Sequence, residues 1–247
     1  MQAVSIVIVS HGHEDDVKKL FDSLATFPES MIEVILIDNL NHGILFSEWI
    51  WSYSFKTQFV RNIKPYSFAK NNNIGVSMSS FENILLLNPD TWFEDSSLCD
   101  WLGKGEWNSN TLYYPRLFNP DGSNQIHGKK KPNLIDQLIT LFFSLIGIKR
   151  SSREGSYWYF AAAVFFKRDL FVRIGGFDEM FPLYCEDVEF CDRARKMGVA
   201  IDVLQNVKVK HKLHDGSKNK YMKKAIISNI YYRVKSLYNT FTLNSRG

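Results

Sequence analysis

Three short apolar runs, each stopped by a polar residue, constrain this chain more than any other feature. Val4-Ser-Ile-Val-Ile-Val9 runs into Ser10. Glu33-Val-Ile-Leu-Ile37 runs into Asp38, and Asn83-Ile-Leu-Leu-Leu87 into Asn88-Pro89-Asp90. Runs this short, β-branched and without alternation, read as strands covered on both faces. Helical patterns lie between them. Val17, Leu20, Phe21 and Leu24 follow a cap at Asp15 or Asp16, and Phe68, Ala69, Ile74 and Val76 space a helix over Ser67 to Ser80. Strand, helix, strand, helix, strand gives right-handed βαβ units, so the expected class is α/β with a Rossmann-like, mostly parallel central sheet and flanking helices. Ligands bind such sheets at the carboxyl ends of the strands. Ser10, Asp38 and Asp90 all sit there.

The rest of the chain is less regular. Phe59-Val60-Arg61 suggests a short strand, and Leu40 to Trp51 fits no element. Beyond Asp90, strands are expected at Leu112 to Leu117, Tyr157 to Phe166, Ala200 to Val203 and Val207 to Lys210, with a turn at Asn119-Pro-Asp-Gly122. Helices are expected at Arg168 to Ile174, stopped by Gly175-Gly176, and at Glu186 to Met197, stopped by Gly198. Tyr221 to Tyr238 predicts an amphipathic C-terminal helix with Ala225, Ile226, Ile230, Val234 and Leu237 on one face.

Charge bears on partners. The net charge is +4, but from Asn206 onward ten Lys or Arg meet one acid, Asp215; that segment is +9 and the remainder −5. A basic tail on a near-neutral body fits an anionic surface, or simply a solubilising face. Leu134 to Ile148 holds ten Leu, Ile or Phe in fifteen residues, bracketed by Lys129-Lys130-Lys131 and Lys149-Arg150. As a helix it would reach ~22 Å, short of the ~30 Å hydrocarbon layer. It reads either as core or as an interfacial segment with basic anchors. No stretch resembles a signal peptide or a full span, and three cysteines fit neither a disulfide framework nor a zinc set, so a reducing compartment is expected. The basic residues sit beside apolar faces rather than in a nucleic-acid module, so no nucleic-acid partner is expected.

Several residues could carry chemistry. Asp90 could hold a divalent cation beside a nucleotide cleft, although Asn-Pro-Asp is equally a strand-ending turn. Glu186-Asp187-Val-Glu189 opens a helix. Its acids could serve only the helix dipole, or supply a general base facing Trp158, Phe181 and Tyr184. His211 and His214 are ordinary structural histidines or metal ligands. Asn71-Asn72-Asn73 inside a helix is unfavourable enough to suggest amides needed for a ligand.

Taken together, Val4 to Ser10, Glu33 to Asn39, Phe68 to Gly75, Ile84 to Thr91, Asp121-Gly122, Gly175 to Asp178, Tyr184 to Glu189, and His211 with Asp215-Gly-Ser217 resemble the inverting family 2 glycosyltransferases of GT-A fold. They are most similar to the bacterial rhamnosyltransferases of O-antigen and cell-wall assembly. The resemblance implies a catalytic domain over 1–217, donor-binding to about 117 and acceptor-binding from about 118, followed by a basic amphipathic extension over 218–247. It implies that Ser10, Asp38, Asn39, Asn72, Asn73, Asn88 and Asp90 bind the nucleotide sugar. Asp90 and His211 would hold Mg2+ or Mn2+, Asp187 would be the base supported by Glu186, and Trp158, Phe181 and Tyr184 would face the acceptor. The expected reaction moves a deoxysugar, L-rhamnose from dTDP-rhamnose, onto a polyprenyl-diphosphate-linked sugar. Galactofuranose, glucose or N-acetylglucosamine donors, or a non-catalytic binding module, are the alternatives. The expected location is cytoplasmic, in peripheral contact with the anionic inner face of a bacterial plasma membrane. Asn88 stands where the family has the first Asp of Asp-x-Asp, and Leu40-Asn41 departs from its Asp-Asn-Ala-Ser run.

Overall fold

A computed structural model describes residues 2–40, 46, 49–105, 107–126, 128–131, 155–213 and 218–244. Its strands are β1 (Val4–Ser10), β2 (Ile32–Asp38), β3 (Lys56–Arg61), β4 (Asn83–Leu87), β5 (Thr91–Trp92), β6 (Thr111–Phe118), β7 (Gly128–Lys129), β8 (Trp158–Tyr159), β9 (Ala163–Lys167) and β10 (Ala200–His211). Its helices are α1 (Glu14–Leu24), α2 (Phe68–Met78), α3 (Ser97–Lys104), α4 (Arg168–Ile174), α5 (Glu186–Lys196) and α6 (Lys218–Asn244). The stretches 134–148 and 214–217, with His214 and the Asp215-Gly-Ser217 match, lie outside the described residues, as does Asn41.

The main sheet has the order β3-β2-β1-β4-β9-β6-β10-β5. The β3-β2-β1-β4 portion is parallel throughout, with Ser10 opposite Asp38 and Asp38 opposite Arg61. Beyond β4, β9 runs antiparallel to both neighbours, while β6 and β10 are parallel to each other. The expected donor and acceptor halves therefore share one sheet, because β9 inserts between β4 and β6.

Continuous apolar strands arise because both faces are covered. Val4, Ile6 and Ile8 pack with Val17, Leu20, Phe21 and Leu24 of α1 and Leu98 and Leu102 of α3. Val7, Ile35 and Ile37 pack on the other face with Val76 of α2, Phe171 of α4 and Phe190 of α5. Each such large apolar side chain contributes about 1.5–3 kcal/mol on burial. Gly75 lets α2 lie directly on β1, since a Cβ there would collide with Val7 Cγ1.

Four local differences from the sequence expectation have physical causes. Helix α3 was not expected; Leu98 and Leu102 are its only fully buried side chains, too few for a clear period. The expected strand Tyr157 to Phe166 is two strands. β8 pairs with β7, and β9 enters the main sheet after a crossing at Ala161-Ala162, where Ala162 O accepts Asn88 N–H. The two expected C-terminal strands are one, β10, with its register shifted between Leu204 and Lys208. Finally, α6 turns Ser228 and Tyr232 inward, and Ile226, Ile227, Ile230, Val234, Leu237 and Tyr238 are exposed. No described helix is long and apolar enough to cross a membrane.

Candidate active site

The parallel strands place their polar ends side by side. Ser10 and Asp38 are buried neighbours in register, and Asn39 N–H donates to Ser10 O. Asp38 Oδ1 accepts the Leu40 N–H at 3.1 Å, while its Oδ2 is buried and has no hydrogen-bond partner. A buried, unmatched acceptor at a strand end is costly unless a ligand donor meets it. Beside it lies an amide cluster. Asn62 Nδ2 donates to Asn39 Oδ1 at 2.9 Å and to Asn71 Oδ1 at 2.7 Å. Asn39 also accepts the Tyr66 N–H and contacts His11 Nδ1 at 3.0 Å.

The asparagine triplet thus divides its work. Asn71 faces the strand ends. Asn72 is buried and donates to Phe68 O within its own helix. Asn73 is engaged elsewhere: Oδ1 accepts the Phe177 N–H, and Nδ2 donates to Phe177 O and Glu179. Both ends of that amide fasten the loop after Gly176 to α2. The triplet pointed to Asn71, but nothing in the sequence marks Asn62 or His11 as its partners in this cluster. The only signal was the triplet itself, and spacing cannot say which amide points inward.

A second group forms just beyond the end of β4, where β5 pairs with β10. Asp90 Oδ1 lies 3.4 Å from His211 Nε2, and both side chains are nearly enclosed. The contact is built by backbone. His211 sits opposite Thr91 in the β10–β5 pair, and Lys212 N–H donates to Asp90 O. Asn88 is half-buried at the same turn, its carbonyl accepting the Thr91 hydroxyl at 2.7 Å. A carboxylate oxygen and an imidazole nitrogen are suitable donors for Mn2+ or Mg2+. Among the described residues no third His, Cys, Asp or Glu joins them. Asp90 and His211 therefore fit a cation that takes its remaining ligands from a diphosphate and water, as hard cations commonly do.

The third group begins α5. Tyr184 and Cys185 take consecutive left-handed conformations, φ +69° and +68°. For non-glycine residues each costs about 1–2 kcal/mol, and together they turn the chain sharply into Glu186-Asp187. Glu186 is buried with Oε2 unpartnered. Burial pushes both carboxyls up, and the Asp187 charge raises Glu186 further. Trp158 packs beside Phe181, Val188 and Tyr232 and donates its indole N–H to Lys130 O. Tyr184 is exposed. Phe181, expected to face the acceptor, has no exposed surface in this structure and packs edge-on against Tyr231 of α6.

No family model matches the chain. Among curated proteins it is 27% identical over 238 residues to rhamnosyltransferase WbbL of Escherichia coli K12, covering 89% of this chain and 87% of that one. It is 23% identical over 212 residues to the low-salt glycan biosynthesis hexosyltransferase Agl10 of Haloferax volcanii, covering 84% and 66%. Among solved structures, the mannosyltransferase PcManGT of Pyrobaculum calidifontis, in complex with GDP-Man and Mn2+, superposes with a TM-score of 0.66 at 12% identity, over 96% of this chain and 65% of that one. TarS of S. aureus in complex with UDP-GlcNAc gives 0.62 at 15%, over 87% and 60%. This chain is a glycosyltransferase of GT-A fold.

The glycosyltransferase fold is what brings the scattered segments together. It gathers Ser10, Asp38 and Asn39 at one set of strand ends and Asp90 with His211 at another. Glu186 and Asp187 stand at the start of α5. The chain spans about two thirds or less of the solved structures it matches.

Proposed function

We propose that this glycosyltransferase moves a deoxysugar, L-rhamnose from dTDP-rhamnose, onto a polyprenyl-diphosphate-linked sugar, with inversion. The observation that carries the site assignment is the convergence of Asp90 and His211 at the end of β4. The choice of donor is supported by the relative named as a rhamnosyltransferase.

Asp38 Oδ2, the buried acceptor without a donor, takes the pyrimidine ring N–H, with Ser10, Asn39 and the Asn62-Asn71 amides shaping the nucleoside cradle. Asp90 and His211 hold a divalent cation, a role supported by Mn2+ in related folds; it supplies positive charge against the diphosphate leaving group. Asp187 accepts the acceptor hydroxyl proton as that oxygen bonds to the anomeric carbon. The bond from that carbon to the diphosphate oxygen breaks on the opposite face and releases the nucleoside diphosphate. One displacement inverts the centre. Burial keeps the proton affinity of Asp187 high, as a base needs, with Glu186 buried beside it.

The exposed apolar stripe of α6, with Lys223 and Lys224 at its start, lies against an anionic membrane surface and brings the enzyme to a lipid-linked acceptor. The overall reading is tested with a donor screen against a synthetic lipid-diphosphate N-acetylglucosamine, products read by mass. A rhamnosylated product from dTDP-rhamnose is expected. Transfer only from UDP-sugars overturns the donor, and no transfer from any nucleotide sugar leaves a binding module.

A further inference from the structure

The Asn119-Pro-Asp-Gly-Ser123 turn after β6 has no part in the steps above, yet its hydrogen bonds run to His211 in a single direction. The Asp121 carboxyl is held below the usual range by the Ser123 hydroxyl and N–H, so it is ionised and can only accept. Ser123 Oγ donates to it at 2.6 Å. That hydroxyl, its one proton used, is left to accept from Asn119 Nδ2 at 2.9 Å. The Asn119 amide therefore presents Oδ1 to Gln125 Nε2, 2.8 Å away. Gln125 in turn presents Oε1 to His211 Nδ1 at 2.6 Å. An amide oxygen has no proton to give, so Nδ1 carries the hydrogen and Nε2 of the neutral ring is a bare lone pair. That lone pair is the atom facing Asp90. In the other tautomer Nε2–H would donate to Asp90 and occupy the space of a cation. The turn is anchored to the strand that ends in His211, since Lys210 Nζ donates to Asn119 O at 3.3 Å and Pro120 O at 3.4 Å.

We propose that Gln125, aimed by Asn119, Ser123 and Asp121, is a positioning residue that locks His211 in the tautomer whose Nε2 can bind a divalent cation together with Asp90. The proposal rests on the cation role given above to Asp90 and His211. Outer partners of metal-binding histidines commonly act in this way, and their loss typically lowers metal affinity about 10–100-fold.

The experiment reads the tautomer and the metal separately. Long-range proton–nitrogen spectra of the nitrogen-labelled, metal-free protein at pH 8 resolve the two ring nitrogens, and His211 is identified among the six histidines by difference with His211→Asn. Protonated Nδ1 and unprotonated Nε2 are expected in the wild type. Gln125→Ala should shift the ring toward Nε2–H and weaken Mn2+ binding, read by electron paramagnetic resonance with dTDP present, about 10–100-fold. Gln125→Glu keeps an acceptor and should keep the tautomer. Should Gln125→Ala not fold, Asn119→Ala and the wild-type spectrum still decide. A wild-type ring protonated at Nε2, or an unchanged tautomer in Gln125→Ala, overturns the lock. The expected tautomer without any Mn2+ binding overturns the cation role instead.

Discussion

The Tyr232 hydroxyl donates to the Asp192 carboxylate at 2.7 Å, in the interior between α6 and α5. Tyr157 donates to the other oxygen of Asp192 at 2.6 Å. One helical turn along α6, Lys235 bridges Asp178 at 2.6 Å and Glu189 at 2.7 Å. The C-terminal helix is thereby fastened to the helix that opens with Glu186 and Asp187, while its opposite face stays apolar and open. Removing the Tyr232 hydroxyl should cost stability, since a hydrogen bond to a charged group contributes about 1.5–3 kcal/mol. Tyr157 continues to serve Asp192, so we expect a loss toward the low end for Tyr232→Phe, read as a lowered urea midpoint. An unchanged midpoint means the contact is idle.

Asp187→Asn should retain donor binding and lower turnover about 10²–10⁴-fold, the usual share of general-base assistance. Glu186→Gln should be milder, and the reverse ranking means the roles are exchanged. The base acts ionised, and burial raises both carboxyls. Transfer should therefore rise with pH, with a midpoint above the ~3.9 of a free aspartate. That midpoint belongs to the pair rather than to one residue. A rate already at its plateau at pH 5 argues against Asp187.

Asp90→Ala should abolish cation-dependent transfer and leave the circular dichroism spectrum unchanged. Its side chain faces His211 rather than the apolar core, so the fold does not depend on it. Near-wild-type turnover, with or without a chelator, would remove the cation from the mechanism.

Glu33 gives a pH-dependent stability far from the site. Burial alone would raise its carboxyl, but the Ser5 hydroxyl, the Ser80 N–H and Lys56 overcome that and hold it at about 2. A folded value below the unfolded one stabilises fully above about 4.5, and the gain is lost as pH falls from there toward 2. The difference corresponds to at most roughly 3 kcal/mol, less for the share from exposed Lys56. Glu33→Gln should lower stability at pH 7 and flatten its fall between pH 5 and 2. Equal acid sensitivity in both proteins counts against the assignment.

Sedimentation with anionic vesicles should be strong at low salt, weaken as salt rises, and be poor with neutral vesicles. Ile230→Asp should reduce it at every salt concentration, because Ile230 lies in the middle of the exposed stripe. Protein remaining in the supernatant with anionic vesicles at low salt ends the membrane reading.

By itself the sequence determined the parallel core and the polar ends of its strands. Val4 to Val9, Glu33 to Ile37 and Asn83 to Leu87 are apolar on both sides, and only a sheet covered by helices on both faces satisfies that. Ser10, Asp38 and Asp90 follow from where those runs stop. The pairing of Asp90 with His211 lay beyond it on residue grounds alone, because 121 positions separate them and only the alignment of β10 with β5 brings them together. The division of Asn71, Asn72 and Asn73 was equally hidden, since successive helical residues point about 100° apart and the neighbours of each come from distant strands and loops. Phe181 and the apolar side of α6 make the same point in opposite directions. An aromatic residue near the start of α5 is wholly covered, while a row of isoleucines is left open, because which face is buried depends on what packs against it.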